Sequence, residues 1–159
     1  MKPHPVPGLV IRYDYLWSDE ARRGREEGAK DRPCAVVLAI QNKSPEQPPV
    51  AVICAITHTP PADPKDAIEI PPKVKEHLGL DDDRSWIVVD EVNFVDWADA
   101  GIIPVATGQW EYGTLPPSLA KKITEAVIER DKARTLEKVD RPKIEKRRAA
   151  RDEDYDRGY

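Results

Sequence analysis

Apolar and polar positions first alternate at residues 8–17. Leu9, Ile11, Tyr13, Tyr15 and Trp17 share one face at a period of two, which predicts a strand. Residues 18–31 (SDEARRGREEGAKD) have no apolar stripe, and Gly24 and Gly28 add freedom, so a long, charged, mobile loop is expected. The runs 33–40 (PCAVVLAI) and 49–57 (PVAVICAIT) are continuously apolar and short. They predict two buried strands joined as a hairpin through QNKSPEQ. A proline-rich loop at 58–66 leads to a short strand at 67–70. Residues 71–79 (PPKVKEHLG) start with prolines, end in Gly79 and space Val74 and Leu78 four apart, the pattern of a short helix. Residues 85–97 (SWIVVDEVNFVDW) predict a strand with a bulge near Asp90–Asn93, and 102–106 carries a weaker strand pattern. Within 113–134, prolines open a helix whose stripe is Leu119, Ile123 and Val127.

Several short strands with one terminal helix predict a mainly β fold, a small barrel capped by that helix. The domain is expected over residues 1–135, with 136–159 a charged tail, either a solvated helix extension or disordered. No apolar run approaches the roughly 18 residues that span a bilayer, so no membrane role is expected. The stretch MKPHPVPGLV lacks the apolar core of a secretion signal, which makes the cytoplasm the expected location. Cys34 and Cys54 sit inside apolar runs and read as buried hydrophobes.

The net charge of −4 is unevenly distributed. Residues 129–159 hold eleven Lys/Arg and nine Asp/Glu, leaving fourteen basic and twenty acidic residues before them. An acidic body excludes a general nucleic-acid coat, so any such contact must be local and supplied by a few arginines. Phosphate-loop, dinucleotide-binding, zinc-protease and nucleophile-elbow motifs are absent. The histidines are scattered, and no metal or other cofactor is expected.

Four features remain. Arg32 stands at the entrance of a buried strand with its backbone restricted by Pro33, a fixed guanidinium suited to phosphate unless it is simply solvated. Thr57 ends an apolar run, where its hydroxyl either binds a phosphate oxygen or closes a local turn. Asp90 and Glu91 interrupt an apolar strand, so whichever faces inward needs a partner, with Arg32 as a candidate. Arg22, Arg23 and Arg25 form the basic cluster of the body, opposed by Glu26 and Glu27.

In order along the chain these segments resemble the MazF/PemK toxins of type II toxin–antitoxin modules. The resemblance is carried by GLVIRYDYLW, Gly24-Arg25-Glu26, RPCAVVLAI, the AIT of 55–57, DEVNFVDW and GTLPPSL. It implies an SH3-like barrel that forms a homodimer, cuts single-stranded RNA without metal and is neutralised by a cognate antitoxin protein. It assigns Arg32 and Thr57 to the active site with Asp90 as the acidic position, and implies that the first loop, with Arg25 and Glu26, closes over the RNA; Arg22, Arg23 and His58 are further candidates for RNA contact. Asp90 or Glu26 would take the proton of the 2′-hydroxyl or position Arg32, Arg32 would stabilise charge or deliver a proton, and Thr57 would orient a phosphate oxygen. Some relatives carry a histidine in the first loop and an arginine just before the late aspartate; here Arg25 and Val88 stand there. Those departures and the acidic body motivate an alternative, a catalytically inactive barrel that binds protein or RNA. A further expectation gives residues 129–159 a partner-binding or oligomer-extending role.

Overall fold

The computed structural model describes residues 2–41, 44–99 and 101–141. Among these residues, eight strands form one curled sheet, a half-barrel, in mainly antiparallel order. They are β1 (Leu9–Tyr13), β2 (Arg32–Ile40), β3 (Val50–Thr57), β4 (Ala67–Glu69), β5 (Trp86–Val88), β6 (Glu91–Asp96), β7 (Gly113–Thr114) and β8 (Glu137–Arg141). Among the described residues three α-helices accompany them, α1 (Ser18–Arg22), α2 (Pro72–Leu78) and α3 (Pro117–Lys132). The fold is the mainly β, helix-capped small barrel expected from the chain.

The hairpin of β2 and β3 is the spine. Its register pairs Cys34 with Ala55, Ala35 with Cys54 and Val36 with Ile53, then shifts at a bulge between Val36 and Leu38. The other edge of β3 is shared. Val50–Ile53 pairs with β6, while Ile56 and Thr57 pair with Ile87 and Trp86 of β5. The expected strand over 85–97 is therefore two strands, broken at Val89–Asp90, which lets the sheet curl.

Both faces of the spine are buried, which is why its strands read as unbroken apolar runs. One core gathers Val10, Ala35, Val37, Val52, Cys54 and Ile56 beneath Ile123 and Val127 of α3. The other gathers Leu9, Ile11, Tyr13, Tyr15, Cys34, Val36 and Ile53 with Val95 and Trp97. Cys34 and Cys54 are free and fully buried, one in each core. Gly79 stops α2 at φ +70°, a conformation other residues adopt only with strain.

Four expectations need correction. The start of the 18–31 loop is helical, because Glu20 Oε1 accepts the Trp17 N–H and two carboxylates favour the first turn. Gly28 does not act as a source of mobility. A Cβ there would lie 2.2 Å from the Tyr15 carbonyl oxygen, so the bare backbone is what allows the chains to approach. Residues 102–106 form only isolated bridges, Arg12 to Ile103 and Ala106 to Gln109. Residues 137–141 are neither solvated helix nor disorder. They form β8, parallel to β6, with Val139 and Arg141 turned inward at a period of two. The rest of the expected tail, 142–159, lies outside the described residues.

Candidate active site

The β2–β3 register sets the first two candidates side by side. Continued two residues beyond Cys34–Ala55, it sets Arg32 opposite Thr57 at the open end of the hairpin. Both line a hollow of about 430 Å³ whose other walls include Trp17, Lys30, Pro60, Pro61, Val88 and Asp90. Both also line an adjoining hollow of about 210 Å³ with Lys30, His58 and Asp81. Arg32, Thr57 and Asp90, far apart in sequence, thus meet on one concave surface.

The guanidinium of Arg32 lies 5.0 Å from the centre of the Trp17 ring, a cation–π contact that fixes the plane of its fork. Its Nε is buried without a hydrogen-bond partner, and among the described residues no carboxylate pairs with it. Asp90, the candidate partner, does not neutralise Arg32. Thr57 Oγ1 accepts the N–H of Thr59 at 3.2 Å, the local turn that is the plainer explanation of a threonine here. Its hydroxyl proton remains available for donation into the hollow.

Asp90 and Glu91 divide as adjacent strand positions must. Glu91 is tied down: Oε1 accepts the Tyr15 hydroxyl (3.0 Å) and the Ser18 N–H (3.1 Å), and Oε2 accepts the Ser18 hydroxyl (3.0 Å). Burial raises its pKa, and those donors oppose the rise. Asp90 is half-buried in the hollow wall. Burial first, and the Asp66 carboxylate second, hold its pKa above the ordinary aspartate value; its own backbone N–H and Arg130 oppose them. Asp66 is itself paired with Arg130 at 2.6 Å.

The loop candidates are placed differently. Arg22 pairs with Glu137 (3.5 Å), Arg23 with Asp19 (2.7 Å) and Arg25 with Glu20 (3.3 Å). Neither they nor Glu26 line either hollow. The cation that does, besides Arg32, is Lys30. Trp17 and Lys30 lie inside segments the sequence pattern marks, Trp17 at the end of the first alternating run and Lys30 near the end of the charged loop, but nothing in that pattern points to the hollow. His58, Asp81 and Asp83 come close enough together to share a cation. However, the ammonium of Lys75 already bonds Asp81, and no metal role is assigned to them.

Behind the hollow, a buried network holds the stretch that presents Trp17. Asn93 accepts the Leu16 N–H and donates to the Leu16 carbonyl. Arg141, its side chain 0% exposed, donates to the Asp14 carbonyl, to Asp14 Oδ2 (3.0 Å), to Asn93 Oδ1 and to the Glu26 carbonyl. Asp14 Oδ2 also accepts the Gly28 N–H. β6 and β8 together thus clamp residues 14–18 and the loop behind them.

A curled antiparallel sheet under a C-terminal helix, with a cation, a hydroxyl and a half-buried carboxylate around an open groove, defines a small-barrel protein whose working surface is that groove. Residues 12–130, about three quarters of the chain, match the family described as PemK-like, MazF-like toxin of type II toxin-antitoxin system, and the chain belongs to that family. Searches of curated proteins and of solved structures returned no significant match. Membership makes it the toxin of such a pair and implies an antitoxin partner. The match stops before β8. Among the described residues no helix is long and apolar enough to cross a membrane.

Proposed function

We propose that this toxin is a cytoplasmic, metal-independent endoribonuclease that cuts single-stranded RNA at selected sequences and works as a homodimer. The observation that carries the proposal is the convergence of Arg32, Thr57 and Asp90 on one hollow, with the guanidinium unneutralised. RNA brings its own nucleophile, the 2′-hydroxyl. The protein must remove that proton and stabilise the charge that builds on phosphorus. Asp90, with its pKa raised chiefly by burial, is a stronger base than an ordinary aspartate once ionised. Arg32 offers two parallel donors to the phosphate oxygens. Thr57 adds a hydroxyl donor one strand away. Trp17, Pro60 and Pro61 supply flat apolar surface for an unstacked base.

The test is cleavage of single-stranded RNA in EDTA by the purified protein, beside Arg32→Ala and Thr57→Ala. The wild type is expected to leave a 2′,3′-cyclic phosphate and a 5′-hydroxyl. Both variants should be slower, and DNA of the same sequence should stay intact. An inert wild type, or variants as fast as wild type, overturns the proposal. Retained RNA binding by an inert protein is the result expected of a binding module instead.

A further inference from the structure

A histidine–carboxylate pair in the smaller hollow, which does not include Asp90, has no role in the proposed cleavage. His58 follows Thr57 directly and lines the smaller hollow, where its Nε2 lies 2.8 Å from Asp81 Oδ2. Asp81 is itself held in place. Its Oδ1 accepts Lys75 Nζ at 2.7 Å and the Asp83 N–H at 3.2 Å. Lys75 is 4% exposed and donates also to the Asp83 carbonyl, so a buried ammonium pins the Asp81–Asp83 turn from inside. Lys75 foremost, with His58, holds the Asp81 carboxyl below its ordinary pKa, which keeps it an acceptor for the imidazole Nε2–H. That arrangement leaves Nδ1 as the nitrogen able to carry a proton to a ligand. The other charged groups around this hollow are Lys30, Asp31 and Arg32.

The two hollows have different walls. Asp90 lines only the larger and His58 only the smaller, while Arg32 and Thr57 line both. In-line displacement puts the entering and leaving oxygens on opposite sides of phosphorus. A phosphate held by Arg32 and Thr57, which the two hollows share, therefore has a carboxylate in one adjoining hollow and an imidazole in the other.

We propose that His58 is the general acid of RNA cleavage, oriented by Asp81, with Lys75 as a positioning residue. The inference rests on the nuclease reading and extends it. Asp90 accepts the 2′-hydroxyl proton as the 2′-oxygen bonds to phosphorus. The bond from phosphorus to the 5′-oxygen breaks, and that oxygen takes the proton of His58 Nδ1. One proton is gained and one given; exchange with water restores both groups.

The test uses an RNA carrying a single 5′-bridging sulfur at the cut position, mapped beforehand with the wild type. A thiolate leaves without a proton. His58→Ala is expected to cut the ordinary RNA about a hundredfold more slowly than wild type, yet to cut the sulfur-containing RNA at close to the wild-type rate. Asp81→Asn should show a smaller defect with the same rescue. Arg32→Ala should be slow on both. An active wild type with His58→Ala equally fast on ordinary RNA, or equally slow on both substrates, overturns the inference and leaves the nuclease reading standing. A wild type inert on both overturns the two together.

Discussion

Arg32 is held by a ring and not by a carboxylate, and this sets what its replacement costs. The Trp17 contact orients the fork without neutralising it, so the full charge remains. Arg32→Lys keeps the charge but loses the planar fork and the stacking. It should slow RNA cleavage by about 10²–10³ under single-turnover conditions, close to the effect of Arg32→Ala. Asp90 makes a second prediction, through pH. Its pKa in the folded protein is raised, chiefly by burial, so the acidic limb of the cleavage profile should lie above the ordinary aspartate range. Asp90→Asn should abolish that limb along with most activity. Folding stability supplies a check that needs no substrate. A carboxyl whose pKa is raised on folding binds its proton more tightly in the native state, so stability falls as pH climbs from the unfolded value through the folded one. Asn cannot ionise. The stability of Asp90→Asn relative to wild type should therefore grow across that window, read from urea unfolding at pH 4 and pH 7. A difference that shrinks with pH would contradict the burial assigned to Asp90.

At the scale of elements, β8 holds the site together from behind without touching it. Arg141 and Asp14 form an ion pair with side chains 0% and 19% exposed, and removal of one partner from such a buried pair costs about 3–5 kcal/mol. Arg141→Ala, and truncation after residue 135, should both destabilise the barrel, as measured by urea melts. Gly28→Ala should act from the other side of the same clamp. The Tyr15 carbonyl would have to move for its Cβ, at about 1–3 kcal/mol, and Trp17 would move with it. Cleavage should then slow even where the protein remains folded. This clamp is also the part of the fold least legible in the sequence. The spine strands, α2 and α3 announce themselves through apolar period, proline and glycine, because each buries an apolar face. β8 does not. One of its two inward positions is an arginine, and a search for an apolar stripe passes over it. The α1 turn was hidden for a related reason, since its stabilisers are a capping carboxylate and charge. The candidate hollow was half legible. Arg32, Thr57 and Asp90 stand at the ends of apolar runs where strands stop. Lys30 and Trp17 reach the hollow through the curl of the sheet, which no local pattern encodes.

For the whole molecule, the proposed nuclease activity makes charge the factor that sets how RNA would be held. The chain carries a net −4, and the arginines of the first loop and α1 are each paired with a carboxylate. The cations that line the hollows are Lys30 and Arg32, joined by His58 when it is protonated. A strand lying there would release few counterions. For single strands the logarithm of the binding constant falls with the logarithm of salt by about 0.7 for each phosphate neutralised, so two cations predict a slope near −1.4. Such shallow dependence means that affinity must come mostly from base stacking and hydrogen bonding, which also favours sequence selection over blanket binding. The measurement is fluorescence-anisotropy titration of a labelled RNA with a 2′-deoxy substitution at the cut position, repeated over a range of salt. Lys30→Ala should lower the slope by about 0.7. Arg23→Ala, which breaks a pair outside the hollows, should leave it unchanged. A slope several times steeper would mean that a second basic surface takes part, and the first place to seek it would be a second copy of the chain.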